Sequence, residues 1–214
     1  MKNVLVTGGS GFVGSHLVDE LVDLNYNVYV IDNLSNGKIE NLKKSIKKIT
    51  FINDDINNIS KYKHKLKKLD YCIHLAALAD IVPSITNPDK YFYSNVSGTF
   101  EILNFVKQFD LKKFIYIASS SCYGIPKKNI TKENDIIDLK YPYALTKKMG
   151  EDMTMHWSSV YKLPVISLRL FNVYGTRSRT SGTYGAVLGV FLKQKLSNKP
   201  FTVVGNGKQT RDFI

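Results

Sequence analysis

Residues Thr7 to Leu17 read Thr-Gly-Gly-Ser-Gly-Phe-Val-Gly-Ser-His-Leu and follow the apolar run Val4-Leu5-Val6. A buried strand that meets a glycine-rich turn and then a helix leaves the chain few folds to choose from. Gly8 permits the tight turn, Gly11 lets backbone N–H groups approach a phosphate with no Cβ in the way, and Gly14 lets the helix pack against the strand. The flanking pattern agrees with this reading. An amphipathic helix follows (Phe12, Val13, Leu17, Leu21, Leu24), and then a second strand, Val28-Tyr29-Val30-Ile31, runs into Asp32. An acidic residue about 20 positions beyond the glycines is where the adenosine ribose of a dinucleotide is gripped. The charge of Asp32 would repel the additional phosphate of NADP, so the expected dinucleotide is NAD.

The spacing predicts strands near 3–7, 27–32, 49–52, 70–76, 113–118 and 164–170, with helices near 12–24, 38–47, 89–109 and 142–161. Strands that alternate with helices imply α/β architecture: a doubly wound parallel sheet of the Rossmann type with helices on both faces. Runs such as Phe114-Ile115-Tyr116-Ile117-Ala118 are apolar on both sides, as in strands covered from above and below. Ligands of such sheets bind at the carboxyl ends of the strands, so the loops after Val6, Ile31, Leu75, Ala118 and Leu170 should converge on one crevice. After about residue 175 the pattern turns irregular, with one further helix near 185–197 and a short strand at Phe201-Thr202-Val203-Val204. Residues 1–174 are therefore expected to form the dinucleotide-binding domain, with 175–214 a separate segment.

The 214 residues carry a formal net charge of +12, which raises the possibility of nucleic-acid binding. Much of the excess lies between Lys38 and Lys68, where lysines interleave with apolar positions as on solvated helix faces, and the expectation is no nucleic-acid partner. Such a field can still speed encounter with an anionic nucleotide. No apolar run reaches the roughly 18 residues of a membrane span, and no signal-like stretch follows Lys2, so a cytoplasmic protein with no membrane association is expected. Cys72 and Cys122 stand apart and read as buried free thiols. His16, His64, His74 and His156 are scattered with no metal-ligand spacing, and His74, at a strand end, reads as a satisfied core imidazole.

Tyr143 and Lys147 stand four residues apart behind Pro142, on one face of a helix. A neighbouring ammonium and a positive nicotinamide ring would favour the phenolate and make Tyr143 a general base. Upstream, Ser119, Ser120 and Ser121 end a strand and offer hydroxyls to a substrate alcohol.

With these residues in place the chain resembles an extended short-chain dehydrogenase/reductase of the nucleotide-sugar epimerase/dehydratase family. The resemblance is carried by Thr7-Gly-Gly-x-Gly-x-x-Gly14, Asp32-Asn33-Leu34, Asp55-Ile56, His74-Leu-Ala-Ala77, Asn95-Val-x-Gly-Thr99, the serine cluster with Tyr123-Gly124, Tyr143-x-x-x-Lys147, Arg169-x-Phe-Asn-Val-Tyr-Gly175 and Gly205-x-Gly-x-Gln-x-Arg-Asp-Phe213. It implies that Gly8, Gly11, Phe12, Val13 and Gly14 wrap the NAD pyrophosphate. Asp32 with Asn33 would hold the adenosine ribose, Asp55 and Ile56 the adenine, and Leu75, Ala76 and Ala77 the middle of the cofactor. Lys147 would bind the nicotinamide ribose, with Tyr143 as base and Ser119 as its hydroxyl partner, all three catalytic. Ser119, Ser120, Ser121, Asn172 and Arg211 would face the sugar nucleotide.

Dehydratases of this family carry an Asp-Glu pair, and the decarboxylases a Glu, where this chain has Ser120 and Ser121. The resemblance therefore implies 4-epimerisation of a nucleotide-diphosphate sugar, UDP-glucose/UDP-galactose or the N-acetyl forms, through a 4-keto intermediate. A dehydratase, a decarboxylase and a non-catalytic NAD-binding module are the alternatives. Family members commonly dimerise through the helices near 89–109 and 142–161, so a homodimer is expected, and the last motif normally continues past Ile214.

Overall fold

The structure is a computed structural model and describes residues 1–125, 130–178, 187–203, 205–208, 210 and 212–214. Six strands form one parallel sheet: β1 Asn3–Thr7, β2 Asn27–Ile31, β3 Thr50–Ile52, β4 Tyr71–His74, β5 Lys113–Ser119 and β6 Val165–Leu170, in the order β3-β2-β1-β4-β5-β6. The order reverses between β1 and β4, which is the switch point at which a crevice opens beyond the strand ends. This is the doubly wound Rossmann arrangement that the alternating pattern implied.

Alternation along β1 divides the core. Val4 and Val6 pack with Val18, Leu21, Val28, Val30 and Ile73 beneath the helix α1 (Phe12–Asp23), whereas Leu5 points to the other face, among Ile102, Leu103, Val106, Phe114 and Tyr116. Cys72 and Cys122 are both buried and free. Burial pushes the Cys72 thiol far above its ordinary range and raises that of Cys122, so both stay protonated, as inert thiols do.

Two helical stretches depart from the periodic expectation. The helix expected over 38–47 is instead two 3₁₀ turns, Ile39–Leu42 and Ile46–Lys48. Anchors spaced a few residues apart draw the chain along the sheet: Asn41 Nδ2 donates to the Ser10 carbonyl (2.8 Å), and Ser45 Oγ donates to Asp19 (2.5 Å). The stretch expected over 89–109 is preceded by a short α2 (Ile81–Thr86) and contains α3 (Pro88–Phe92), a π turn (Tyr93–Ser97) and α4 (Gly98–Val106). The π turn carries Asn95 to the interior, where it is 1% exposed. The helix α5 (Pro142–Tyr161) and the helix α6 (Val187–Leu196) lie where expected. The strand expected at 201–204 is not formed by Phe201, Thr202 and Val203, and Val204 lies outside the described residues. These three side chains are exposed, and without a neighbouring strand their ladder groups gain nothing from extension.

Candidate active site

The glycine turn is built so tightly that side chains are excluded from it. Gly8 has φ +71°, and a Cβ there would lie 2.7 Å from the Ala76 nitrogen; a Cβ on Gly14 would collide with the Gly8 carbonyl. The N-terminus of α1 receives no side-chain cap and has no acidic residue in its first turn. Its unpaired N–H groups and the positive end of its dipole are left for an anion. The residues present thus fit the pyrophosphate of a dinucleotide. Asp32 buttresses the turn, accepting from the Ser10 N–H (2.9 Å) and the Leu34 N–H (2.8 Å). Asn33 Nδ2 donates to Asp55 (2.9 Å), which also accepts from the Asn57 N–H (2.9 Å), so the residues expected at the adenosine end meet at the end of β2. Ile56 is different: its side chain is buried in the core, against Gly98 of α4.

Leu75, Ala76 and Ala77 follow β4, where Leu75 N–H donates to the Thr7 carbonyl (3.2 Å) and Ala76 N–H donates to Thr7 Oγ1 (3.1 Å). His74 fixes this corner. Thr99 Oγ1 gives its proton to the Asn95 carbonyl (2.6 Å), so it must accept from His74 Nε2–H (3.0 Å), which leaves Nδ1 to accept from Thr7 Oγ1–H (2.6 Å). Both ring nitrogens are satisfied in the neutral form. Burial pushes the His74 pKa down to about 3, and the charge of Lys147 acts in the same direction. The imidazole is a strut, as its sequence position suggested.

The three catalytic candidates come together. Ser119 ends β5, Tyr143 opens α5, and a side-chain hydrogen bond joins them. Ser119 Oγ also accepts from the Ser121 N–H (3.1 Å), at the head of a 3₁₀ turn, Ser120–Tyr123. One turn along α5, Lys147 is buried, with its ammonium 4.4 Å from the centre of the Tyr116 ring. Burial pushes the Lys147 pKa down to about 7, while Glu151 one turn further opposes the fall. Tyr143 moves the other way: burial raises its pKa, the Ser119 hydrogen bond opposes that rise, and the charge of Asp80 adds to it. Burial thus works against the phenolate, and the positive nicotinamide ring of the expectation would work for it.

Asn172 lies past the end of β6, its Nδ2 donating to the Asp212 carbonyl (2.8 Å) and its backbone bridging to Phe213 in parallel. Arg211 lies outside the described residues. Several supporting residues escaped the sequence reading. Asn95 holds the cofactor-side loop to α5 by accepting from the Leu78 N–H (2.8 Å) and donating to the Leu78 carbonyl (3.0 Å) and to Thr146 Oγ1 (3.1 Å). Tyr91 donates to the Asp80 carbonyl (2.6 Å) and sets its ring edge-on to Tyr143, with centroids 6.4 Å apart. Glu151, nearly buried, accepts from Ser167 Oγ (2.9 Å) and Arg169 Nε (3.0 Å). The only sequence signal for them is the position of Asn95 and Arg169 within quoted motifs. Among the described residues no group of His, Cys, Asp and Glu could hold a metal ion, and no helix is long and apolar enough to cross a membrane.

The chain is similar along its whole length to known proteins. The chain is 36% identical over 213 residues to a putative UDP-glucose 4-epimerase of Methanocaldococcus jannaschii, covering 99% of this chain and 68% of that one. A UDP-N-acetylglucosamine 4-epimerase from Methanobrevibacter ruminantium, solved with UDP-N-acetylmuramic acid, superposes with a TM-score of 0.94 at 37% identity, over 100% of this chain and 68% of that one. A UDP-glucose 4-epimerase from Thermotoga maritima, solved with UDP-glucose, gives 0.92 at 33% identity, over 99% of this chain and 69% of that one. The chain thus spans about two thirds of the length of these relatives. The NAD dependent epimerase/dehydratase family matches residues 4–214, and with its glycine turn before α1, Asp32 after β2 and Ser119 beside Tyr143, the chain belongs to that family.

Proposed function

We propose that the protein interconverts the 4-epimers of a UDP-sugar, UDP-glucose/UDP-galactose or the N-acetyl forms, using NAD. The observation that carries this reading is the meeting of Ser119 at the carboxyl end of β5 with Tyr143 at the start of α5, one turn before Lys147. Ser119 orients the sugar 4-hydroxyl, and Tyr143 removes its proton as the C4–H bond breaks. NAD held at this site would supply the acceptor and donor of the C4 hydride, so no external oxidant would be consumed. The 4-keto sugar rotates, hydride reaches its opposite face, and Tyr143 gives the proton back to the oxygen. Lys147 would hold the nicotinamide ribose, with Asp32, Asn33 and Asp55 at the adenosine end and Ser120, Ser121, Asn172 and Arg211 toward the sugar nucleotide.

Ser120 and Ser121 favour epimerisation over water loss or decarboxylation, because a hydroxyl cannot replace the carboxylate those reactions use. Residues 1–174 act in this reading as the NAD-binding domain and 175–214 as the beginning of the sugar-nucleotide lobe. A homodimer in the cytoplasm is part of the same proposal, and the exposed apolar side chains of Phe92, Phe100 and Val160 support the dimer. The test is incubation of the NAD-loaded protein with UDP-glucose and with UDP-GlcNAc, followed by NMR of the products. A 4-epimer is expected, and Tyr143→Phe should bind NAD yet lose about 10²–10⁴-fold in turnover. A 4-keto-6-deoxy product, or near-normal turnover in Tyr143→Phe, would overturn the assignment.

A further inference from the structure

Beyond β6 the chain turns back across α1. Thr176 offers its carbonyl to His16 Nε2 (3.0 Å), and the His16 ring stands edge-on to Phe12, with centroids 5.9 Å apart. A Cβ on Gly175 would lie 3.5 Å from the Phe12 ring, so this backbone passes directly over the first residue of the helix. Arg177 then reaches down the same helix, its Nη2 donating to Asp19 (2.7 Å), whose other oxygen accepts from Ser45 Oγ (2.5 Å). Burial raises the Asp19 pKa, but the Ser45 and Arg177 hydrogen bonds outweigh it and hold the carboxyl below its usual range, so the pair is charged. Arg177 has φ +65°, a left-handed backbone that is strained for a non-glycine residue and persists only where other contacts enforce it. On its other side the segment is tied to the chain end, where Tyr174 N–H donates to the Ile214 carbonyl (3.1 Å).

We propose that Arg177 is a positioning residue for the cofactor: its ion pair with Asp19 straps residues 174–178 over the first turns of α1 and thereby slows the release of NAD. The argument is geometric. The N-terminus of α1 is the phosphate end of the cofactor site, Phe12 is its first residue, and the strap rests on Phe12 and His16 before it is pinned at Asp19. Nothing else among the described bonds of residues 175–178 reaches as deeply into the domain, since the Thr176 contacts are exposed. The pair therefore governs whether this cover stays down while the cofactor sits beneath it.

The test uses NAD-loaded protein, with released NAD trapped by alcohol dehydrogenase and ethanol and followed as NADH absorbance. Arg177→Met, which keeps the aliphatic stem, should release NAD about ten-fold faster. Asp19→Asn should do the same, and the double variant should be no faster than either single one, because both remove one interaction. Ser45→Ala, which leaves Arg177 with its partner, should stay within about two-fold of the unmodified protein. Circular dichroism and melting curves run in parallel. A lower melting temperature with unchanged NAD release would make the pair a structural tie only and overturn the proposal. If Asp19→Asn fails to fold, Arg177→Lys, which keeps the charge, decides: release slower than that of Arg177→Met supports the strap, and release as fast as that of Arg177→Met refutes it.

Discussion

Lys147 is a buried cation, and its burial has a cost that pH exposes. It is buried beside Tyr116, with a pKa pushed down to about 7 and only Glu151 opposing the fall. The unfolded chain binds its proton up to about pH 10.5, whereas the folded chain releases it near 7, so between those values the unfolded state holds more protons and stability rises with pH. At and below pH 7 the folded protein carries the full penalty of a desolvated ammonium. Lys147→Met should therefore raise the melting temperature of the NAD-free protein by about 2–4 °C at pH 7, the advantage shrinking toward pH 10, while epimerase turnover collapses. A melting temperature that falls at pH 7 would mean that the ring contact and Glu151 outweigh desolvation.

At the scale of elements, the site depends on how closely α5 lies on the sheet. Gly150 makes that approach possible, since a Cβ there would collide with the Tyr116 hydroxyl, and Tyr116 in turn donates to the Lys147 carbonyl (3.1 Å). Gly150→Ala should destabilise the protein by about 1–3 kcal/mol and weaken NAD binding by displacing Tyr143 and Lys147 together; Tyr116→Phe in the same chain should restore part of both, read by melting and by NAD titration. Failure of that rescue would place the strain elsewhere. All six strands were legible in the sequence, because β-branched and aromatic runs bounded by turns suit the strands of a parallel sheet. The 3₁₀ turns near 39–48 were not, because the choice between them and an α-helix is made by Asp19 and Ser10, tens of residues away. The π turn was also hidden: one extra residue in a helical stretch hardly alters its periodicity, yet it carries Asn95 to Leu78 and Thr146. In the site, Tyr143 and Lys147 were visible because a helix repeat relates them. Glu151 and Arg169 find each other across 18 residues, through packing that no local spacing encodes.

For the whole molecule, the proposed dimer and the net charge of +12 pull in opposite directions. Two copies brought together repel, so an interface between them must be apolar enough to win, and stronger salt should favour it by screening. The outer sides of α3, α4 and α5 offer such a surface: Phe92, Phe100 and Val160 are exposed there, and the Phe100 ring stands against Trp157 of α5 at 5.8 Å. Light scattering on the purified protein should give about twice the 24.2 kDa chain mass, with the dimer fraction rising with salt. Val160→Glu places a carboxylate on that surface, on a side chain already about half exposed, so it should leave folding intact and shift the protein to monomer. A variant that stays dimeric, or an unmodified protein that is monomeric at every salt concentration, would remove these helices as the interface. The same positive field draws in anionic ligands, so association of NAD should slow as salt rises while its release does not. The opposite salt trends of dimer assembly and NAD capture separate the two roles of one charge distribution in a single titration.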